Sequence, residues 1–125
     1  MSVDETRQRI TIIAKSYLGY KEGYNNDNLF GSWYGMPNQP WCAIFVSYCM
    51  HKAGVSESTV PKFAYCPTGF NWFANKGQTR NKNYVPQTGD IIFFDWEQDG
   101  VIDHVGIVDK VIGNTVYTIE GNHGD

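Results

Sequence analysis

Cysteine, histidine and a carboxylate can together break an amide bond, and this chain has one of each at places where the backbone could help. Residues 40–54 read PWCAIFVSYCMHKAG. Cys42, Phe45, Val46, Cys49, Met50 and Ala53 fall at helical spacing on one face. Pro40 suits the start of that helix and Gly54 its end. A thiolate at a helix N-terminus is stabilised by unpaired N–H groups, which lowers its pKa. Cys42 has that placement and Cys49 does not. A cysteine nucleophile also needs a base, usually histidine, and a group that orients the base. His51 sits near the far end of the same helix, out of reach. His123 lies near the chain end, where fraying is expected. His104, between Asp103 and Val105, opens a strand and is the candidate base. Glu120 and Asn122 are two apart on a later strand, so they share a side, and either could orient it. Blander readings stand beside these. A buried cysteine is usually a small hydrophobe, a histidine at a strand start is often just a satisfied polar group, and a strand-end glutamate is usually solvated.

Elements must hold these groups together. Ser2-Val-Asp-Glu5 is a capping box that opens a helix, with Ile10, Ile13, Ala14 and Tyr17 on its apolar face and Gly19 at its end. Residues 19–40 are rich in Gly, Asn, Pro and aromatics and are expected to be a long loop used as a binding surface. The Cys42 helix follows. A third helix is expected through PTGFNWFANKG, capped by Thr68 and stopped by Gly77. From Gly89 the period changes: DIIFFDW, DHVGIVDKV and NTVYTIEGN read as strands, broken by Asp99-Gly100 and Gly113-Asn114. Helices first and an antiparallel sheet after them make an α+β fold.

Composition bounds the function. At 125 residues the chain fits one domain, residues 1–125, with its own core. A net charge of -3 gives no support for nucleic-acid binding. No apolar run is long enough to span a bilayer, so membrane insertion is not expected. MSVDETRQRI lacks the apolar core of a signal peptide. The 3 cysteines are an odd count, which excludes a full disulfide framework. Cys42 and Cys49 would stand two turns apart, about 10 Å, too far for a disulfide. Free thiols are expected, with Cys66 near the groove as a buried structural thiol. No zinc-ligand spacing is present.

Four motifs in order, PWCAIFVSYC, GDIIFFDW, DHVGIV and TIEGN, resemble the CHAP domain, the cysteine, histidine-dependent amidohydrolase/peptidase. The resemblance runs from about Asn25 to the chain end. It implies a papain-like arrangement, with N-terminal helices packed on a C-terminal antiparallel sheet. It implies Cys42 as nucleophile, His104 as base and Glu120 as the group that orients the imidazolium, with Asn122 holding His104 or assisting the oxyanion site. The implied oxyanion donor is the Cys42 backbone N–H. The implied substrate is the peptide of bacterial peptidoglycan, with endopeptidase cleavage favoured. The alternatives are an N-acetylmuramoyl-L-alanine amidase of the same fold and a catalytically silent wall-binding module. No cofactor is required, and a monomer is expected. Family members usually continue past the TIEGN strand, so the chain is expected to be truncated before its last strand. Action at the bacterial cell wall without a leader fits release from a phage, or a leader already removed.

One consequence concerns register. His104 and Glu120 must share a face of the sheet to reach one thiol. A regular two-residue turn at Gly113-Asn114 would set Glu120 opposite Ile107 and His104 on the other face. A three- or five-residue loop, or a bulge near Gly106, is therefore expected. Two further groups stand out. Trp33, Tyr34 and Trp72 are candidate groove aromatics for a wall fragment, with core packing the alternative for Trp72. Asp95, Glu97, Asp99 and Asp103 resemble the start of a calcium loop, but the twelfth position is Gly106 rather than Glu. An acidic, solvated turn is the preferred reading, and calcium is not favoured.

Overall fold

The computed structural model describes residues 2–18, 20, 28–36, 41–81 and 83–121. Four helices precede three strands: α1 Val3–Lys15, α2 Leu29–Tyr34, α3 Cys42–Lys52, α4 Cys66–Asn75, β1 Ile91–Phe94, β2 His104–Ile112 and β3 Thr115–Ile119. The strands form one antiparallel sheet in the order β1-β2-β3. The fold is α+β, with helices at the N-terminal side of the chain and the sheet at the C-terminal side.

The capping box forms as the sequence requires: Ser2 Oγ accepts from Glu5 N–H at 3.1 Å, and the Glu5 carboxylate accepts from Ser2 N–H at 3.3 Å. The helix ends at Lys15 with Ser16 as cap. Gly19 and Pro40, both helix signals in the sequence, lie outside the described residues.

The 19–40 stretch is not simply a loop. It contains α2, capped by Asn28 Oδ1, which accepts from Gly31 N–H at 2.6 Å, and closed by Gly35 in the left-handed region. Phe30 on α2 is fully buried, stacked on Trp41 at 5.0 Å and edge-on to Phe45, Tyr48 and Tyr17. Six residues are too few for a helical period to show, so the element escapes a periodicity reading. Burying such a ring is worth about 3–5 kcal/mol against alanine, enough to anchor α2 to α3.

The expected one-faced stripe on α3 is also corrected. Every residue from Ala43 to Met50 is buried, so α3 is an all-round core helix between α1, α2 and the sheet. Its first residue, Cys42, is partly exposed, and its last two, His51 and Lys52, are exposed. α4 starts at Cys66 with Pro67 in its first turn, earlier than the Thr68 cap expected from sequence. Two contacts set that start beside the start of α3. Ser47 on α3 accepts from Phe63 N–H at 3.0 Å and donates to Phe63 C=O at 2.9 Å. Gly69 then lets α4 close on the Phe63 ring, where an added Cβ would stand 2.4 Å from Cδ2.

A bulge settles the register. The β2–β3 turn is the two-residue Gly113-Asn114 turn, with Ile112 opposite Thr115 and Gly113 at φ 60, so the longer loop is not the solution. The ladder shifts between Val108 and Lys110, leaving Asp109 as the extra residue, and Ile107 pairs Ile119. The bulge lies at Asp109 rather than near Gly106, yet it has the required effect. It sets Glu120 opposite Gly106, on the same face as His104. α1 and the turn before β1 hold it: Lys15 pairs with the Asp109 carboxylate at 2.9 Å, and Thr88 Oγ1 donates to the Asp109 carbonyl at 2.9 Å. The bulged position therefore has partners on both its side chain and its carbonyl.

Candidate active site

Cys42 is the first residue of α3, ahead of the first ladder bond from Phe45 N–H to Trp41 C=O. The Trp41 side chain makes no capping hydrogen bond, so it does not compete for the N–H groups of this first turn. Ala43 N–H instead contributes to holding the Cys42 sulfur as a thiolate. His104, buried at the start of β2, hydrogen-bonds to Cys42. Its Nε2 stands 3.0 Å from Glu120 Oε1, which leaves Nδ1 for the thiol. Thr118 Oγ1 donates a hydrogen bond to the other Glu120 oxygen. The result is a chain from thiol to imidazole to carboxylate to hydroxyl.

The geometry needs a glycine at 106. The Glu120 side chain crosses over Gly106 on its way to His104, and a Cβ there would lie 2.7 Å from Glu120 Cγ and 3.2 Å from Ile119 C=O. Any larger residue at 106 would push the carboxylate off its path.

The charges respond to one another. Cys42 is lowered to about 5. The Cys66 S–H hydrogen bond is the main cause, and His104 adds a hydrogen bond and positive charge, while burial opposes both. The two sulfurs are 3.6 Å apart. Cys66 is correspondingly raised, first because its proton is held on the Cys42 thiolate and then by burial. Burial alone would push His104 down. The Cys42 thiolate, and after it Glu120, outweigh that, so His104 stands above the ordinary histidine value. A thiolate–imidazolium pair at neutral pH is the state these shifts favour.

Three of these neighbours are not assigned by sequence reasoning. Thr118 is two residues before Glu120, and strand alternation could have placed them on one side. Trp96 stacks on His104 with ring centroids 4.8 Å apart, shielding one face of the imidazole; no spacing rule signals that. Cys66 is buried, as the sequence suggests, but it sits against the Cys42 sulfur.

Other expected site residues fall elsewhere. Asn122 lies outside the described residues. Trp33 packs against Tyr48 and His51 in the second half of α3, and Lys62 lies over the rings of Trp33 and Tyr34 at 4.5 and 5.0 Å. That is the end of α3 remote from Cys42, so the structure does not bring Trp33 to the thiol. Trp72 packs on Phe73 beneath Lys76. Asp95, Asp99 and Asp103 converge within 4.8 Å, without Glu97. Each also accepts a backbone N–H of its own turn: Asp95 from Gly100, Asp99 from Val101 and Asp103 from Glu97. A groove of about 1100 Å³, lined by Arg7, Met50, Phe70, Phe73, Arg80 and Tyr84 among others, does not include Cys42, His104 or Glu120. The Cys42–His104–Glu120 group lies apart from this groove.

A family model, the CHAP domain, matches residues 33–122, a span that contains Cys42, His104 and Glu120. No curated protein and no solved structure matches the chain.

Proposed function

The chain belongs to the CHAP domain family, whose members are amidohydrolases and peptidases of peptidoglycan, and on that premise we propose that it cleaves an amide of the wall peptide with Cys42 as nucleophile. The observation that supports this best is the Cys42–His104–Glu120 chain, with its thiolate at a helix start. The Cys42 thiolate attacks the amide carbonyl carbon, and the carbonyl oxygen becomes an oxyanion facing first-turn N–H groups of α3. His104, protonated and held by Glu120, gives its proton to the leaving amine as the C–N bond breaks. Water, deprotonated by His104, then hydrolyses the thioester and frees Cys42. All steps are proton and acyl transfers between groups of this chain, substrate and water. The substrate is bacterial cell-wall peptidoglycan, and the site of action is the wall.

The test is digestion of purified peptidoglycan, with the products read by mass spectrometry. Fragments cut at a cross-bridge are expected for an endopeptidase. A free alanine N-terminus on an intact stem peptide would instead make the enzyme an amidase. Lysis by Cys42→Ala equal to that of the parent would overturn the cysteine mechanism. Wall binding by the parent without lysis would favour a silent binding module.

A further inference from the structure

Cys66 donates to the Cys42 thiolate, and its placement also suits it to react with that sulfur. It is the first residue of α4, as Cys42 is of α3, and the two sulfurs face each other at 3.6 Å. Two separate devices hold them there: the Ser47–Phe63 hydrogen bonds and the close approach of Gly69 to the Phe63 ring. Cys49, the third thiol, is fully buried two turns along α3 and is too far from Cys42 to pair with it.

We propose that Cys42 and Cys66 form a two-electron oxidation site, closing reversibly to an intramolecular disulfide that silences the nucleophile and protects it from irreversible oxidation. The oxidant class is a peroxide. In the first step the Cys42 thiolate attacks one oxygen of hydrogen peroxide. An S–O bond forms, the O–O bond breaks, and the other oxygen leaves as hydroxide, giving Cys42–SOH. In the second step the Cys66 sulfur attacks the Cys42 sulfur. The S–S bond forms and the S–O bond breaks. The departing hydroxide takes the Cys66 proton and leaves as water. Sulfur is oxidised by two electrons over the two steps, and the peroxide is reduced.

The separation of the sulfurs suits closure. A disulfide needs about 2.05 Å between sulfurs, so the pair must close by roughly 1.5 Å, shared between two side chains at helix starts. Access is also suitable, because Cys42 is partly exposed and can meet the peroxide while Cys66 is buried beside it. The raised Cys66 does not prevent its attack. Its proton is held mainly by the Cys42 thiolate, and that charge is gone once Cys42 is a sulfenic acid. The reduced pair is stabilised by the S–H hydrogen bond and by His104, which makes the disulfide easy to reduce again.

The experiment treats the protein with a small excess of hydrogen peroxide at neutral pH and reads intact mass, free thiols and thiol-specific peptide maps. The parent is expected to lose the mass of two hydrogens and to go from 3 free thiols to one, with Cys42 joined to Cys66. Dithiothreitol should reverse this fully. Cys66→Ala should instead gain the mass of two or three oxygens at Cys42, and dithiothreitol should recover about tenfold less of its own untreated thiol than in the parent. A parent that gains oxygen without losing hydrogen, or a variant that recovers as well as the parent, would overturn the proposal. The parent measurement needs no variant to fold. None of these readouts uses wall lysis, so failure of the hydrolase reading and failure of this one are separate results.

Discussion

Cys42 and Cys49 lie on one helix, seven residues apart, and have opposite chemistry. Cys42 is lowered to about 5, whereas Cys49 is pushed up to about 12 by burial. Side-chain type and local helix are the same. Position on the helix makes the difference. The first turn exposes N–H groups and meets His104 and Cys66. The third turn has its N–H groups bonded within the helix and lies in the core. The acidity of a thiol is thus set by its place on the helix and by the groups it meets there, not by side-chain type.

Replacement makes the contrast largest. Cys42→Ser is expected to lower wall lysis by about 10³-fold or more. Cys49→Ala should keep lysis within a few fold while losing roughly 1–2 kcal/mol of stability to the small cavity it leaves. Turbidity of wall suspensions and thermal unfolding read the two effects. Equal losses of lysis in both variants would erase the distinction.

Displacing the orienting carboxylate should come next. Gly106→Ala puts a methyl 2.7 Å from Glu120 Cγ. An expected fall of about 10²-fold in kcat, with little change in thermal midpoint, follows from misplacing Glu120 by a fraction of an ångström to an ångström. Unchanged kcat would mean that Glu120 does not need its present path.

Alkylation compares the two thiols directly. At pH 7, Cys42 at about 5 is almost wholly ionised and Cys49 at about 12 is almost wholly protonated. The weaker nucleophilicity of a low-pKa thiolate offsets part of that, so iodoacetamide should label Cys42 about 10²-fold faster. Peptide mapping by mass spectrometry measures it, and equal rates would contradict the assignment of the thiolate.

A smaller effect lies in the pH profile of kcat/KM. The acidic limb follows protonation of the Cys42 thiolate, near pH 5. The basic limb follows loss of the His104 proton, above the ordinary histidine value. The limbs belong to the pair together. Cys66→Ala removes the hydrogen bond that most lowers Cys42, so the acidic limb should move up. Glu120→Gln removes a negative charge that raises His104, so the basic limb should move down. A shift of either limb in the opposite sense would overturn the corresponding cause.

Smallest of all is the calcium response. The three converging aspartates already accept the backbone N–H groups of their turn. Titration with calcium should leave the thermal midpoint where it is; a rise with concentration would make the turn a metal site.

Much of this architecture is legible in the sequence because it is local. The capping box is contained in four residues. The strand runs announce themselves as β-rich stretches between turn signals, and the helix-start placement of Cys42 needs only helix polarity. The α2 helix is not legible, because what anchors it is Phe30 entering an aromatic cluster made by Tyr17, just after α1, and by Phe45 and Tyr48 of α3. The all-round burial of α3 is hidden for a similar reason: one face is readable, while the others are covered by elements distant in sequence. Parity arguments can demand an irregularity between His104 and Glu120, but cannot place it. Its position at Asp109 depends on Lys15 and Thr88, brought there by tertiary packing.

The amino-acid order alone determined which groups could react and the α+β order of helices and strands, since residue type, helix polarity and strand alternation are properties of short segments. The tertiary structure alone decided that Cys66 meets Cys42, that Trp96 covers His104 and that Glu120 passes over Gly106. Those are meetings between segments far apart in the chain, and their distances depend on how buried side chains such as Ser47, Phe63 and Phe30 fill the space between them.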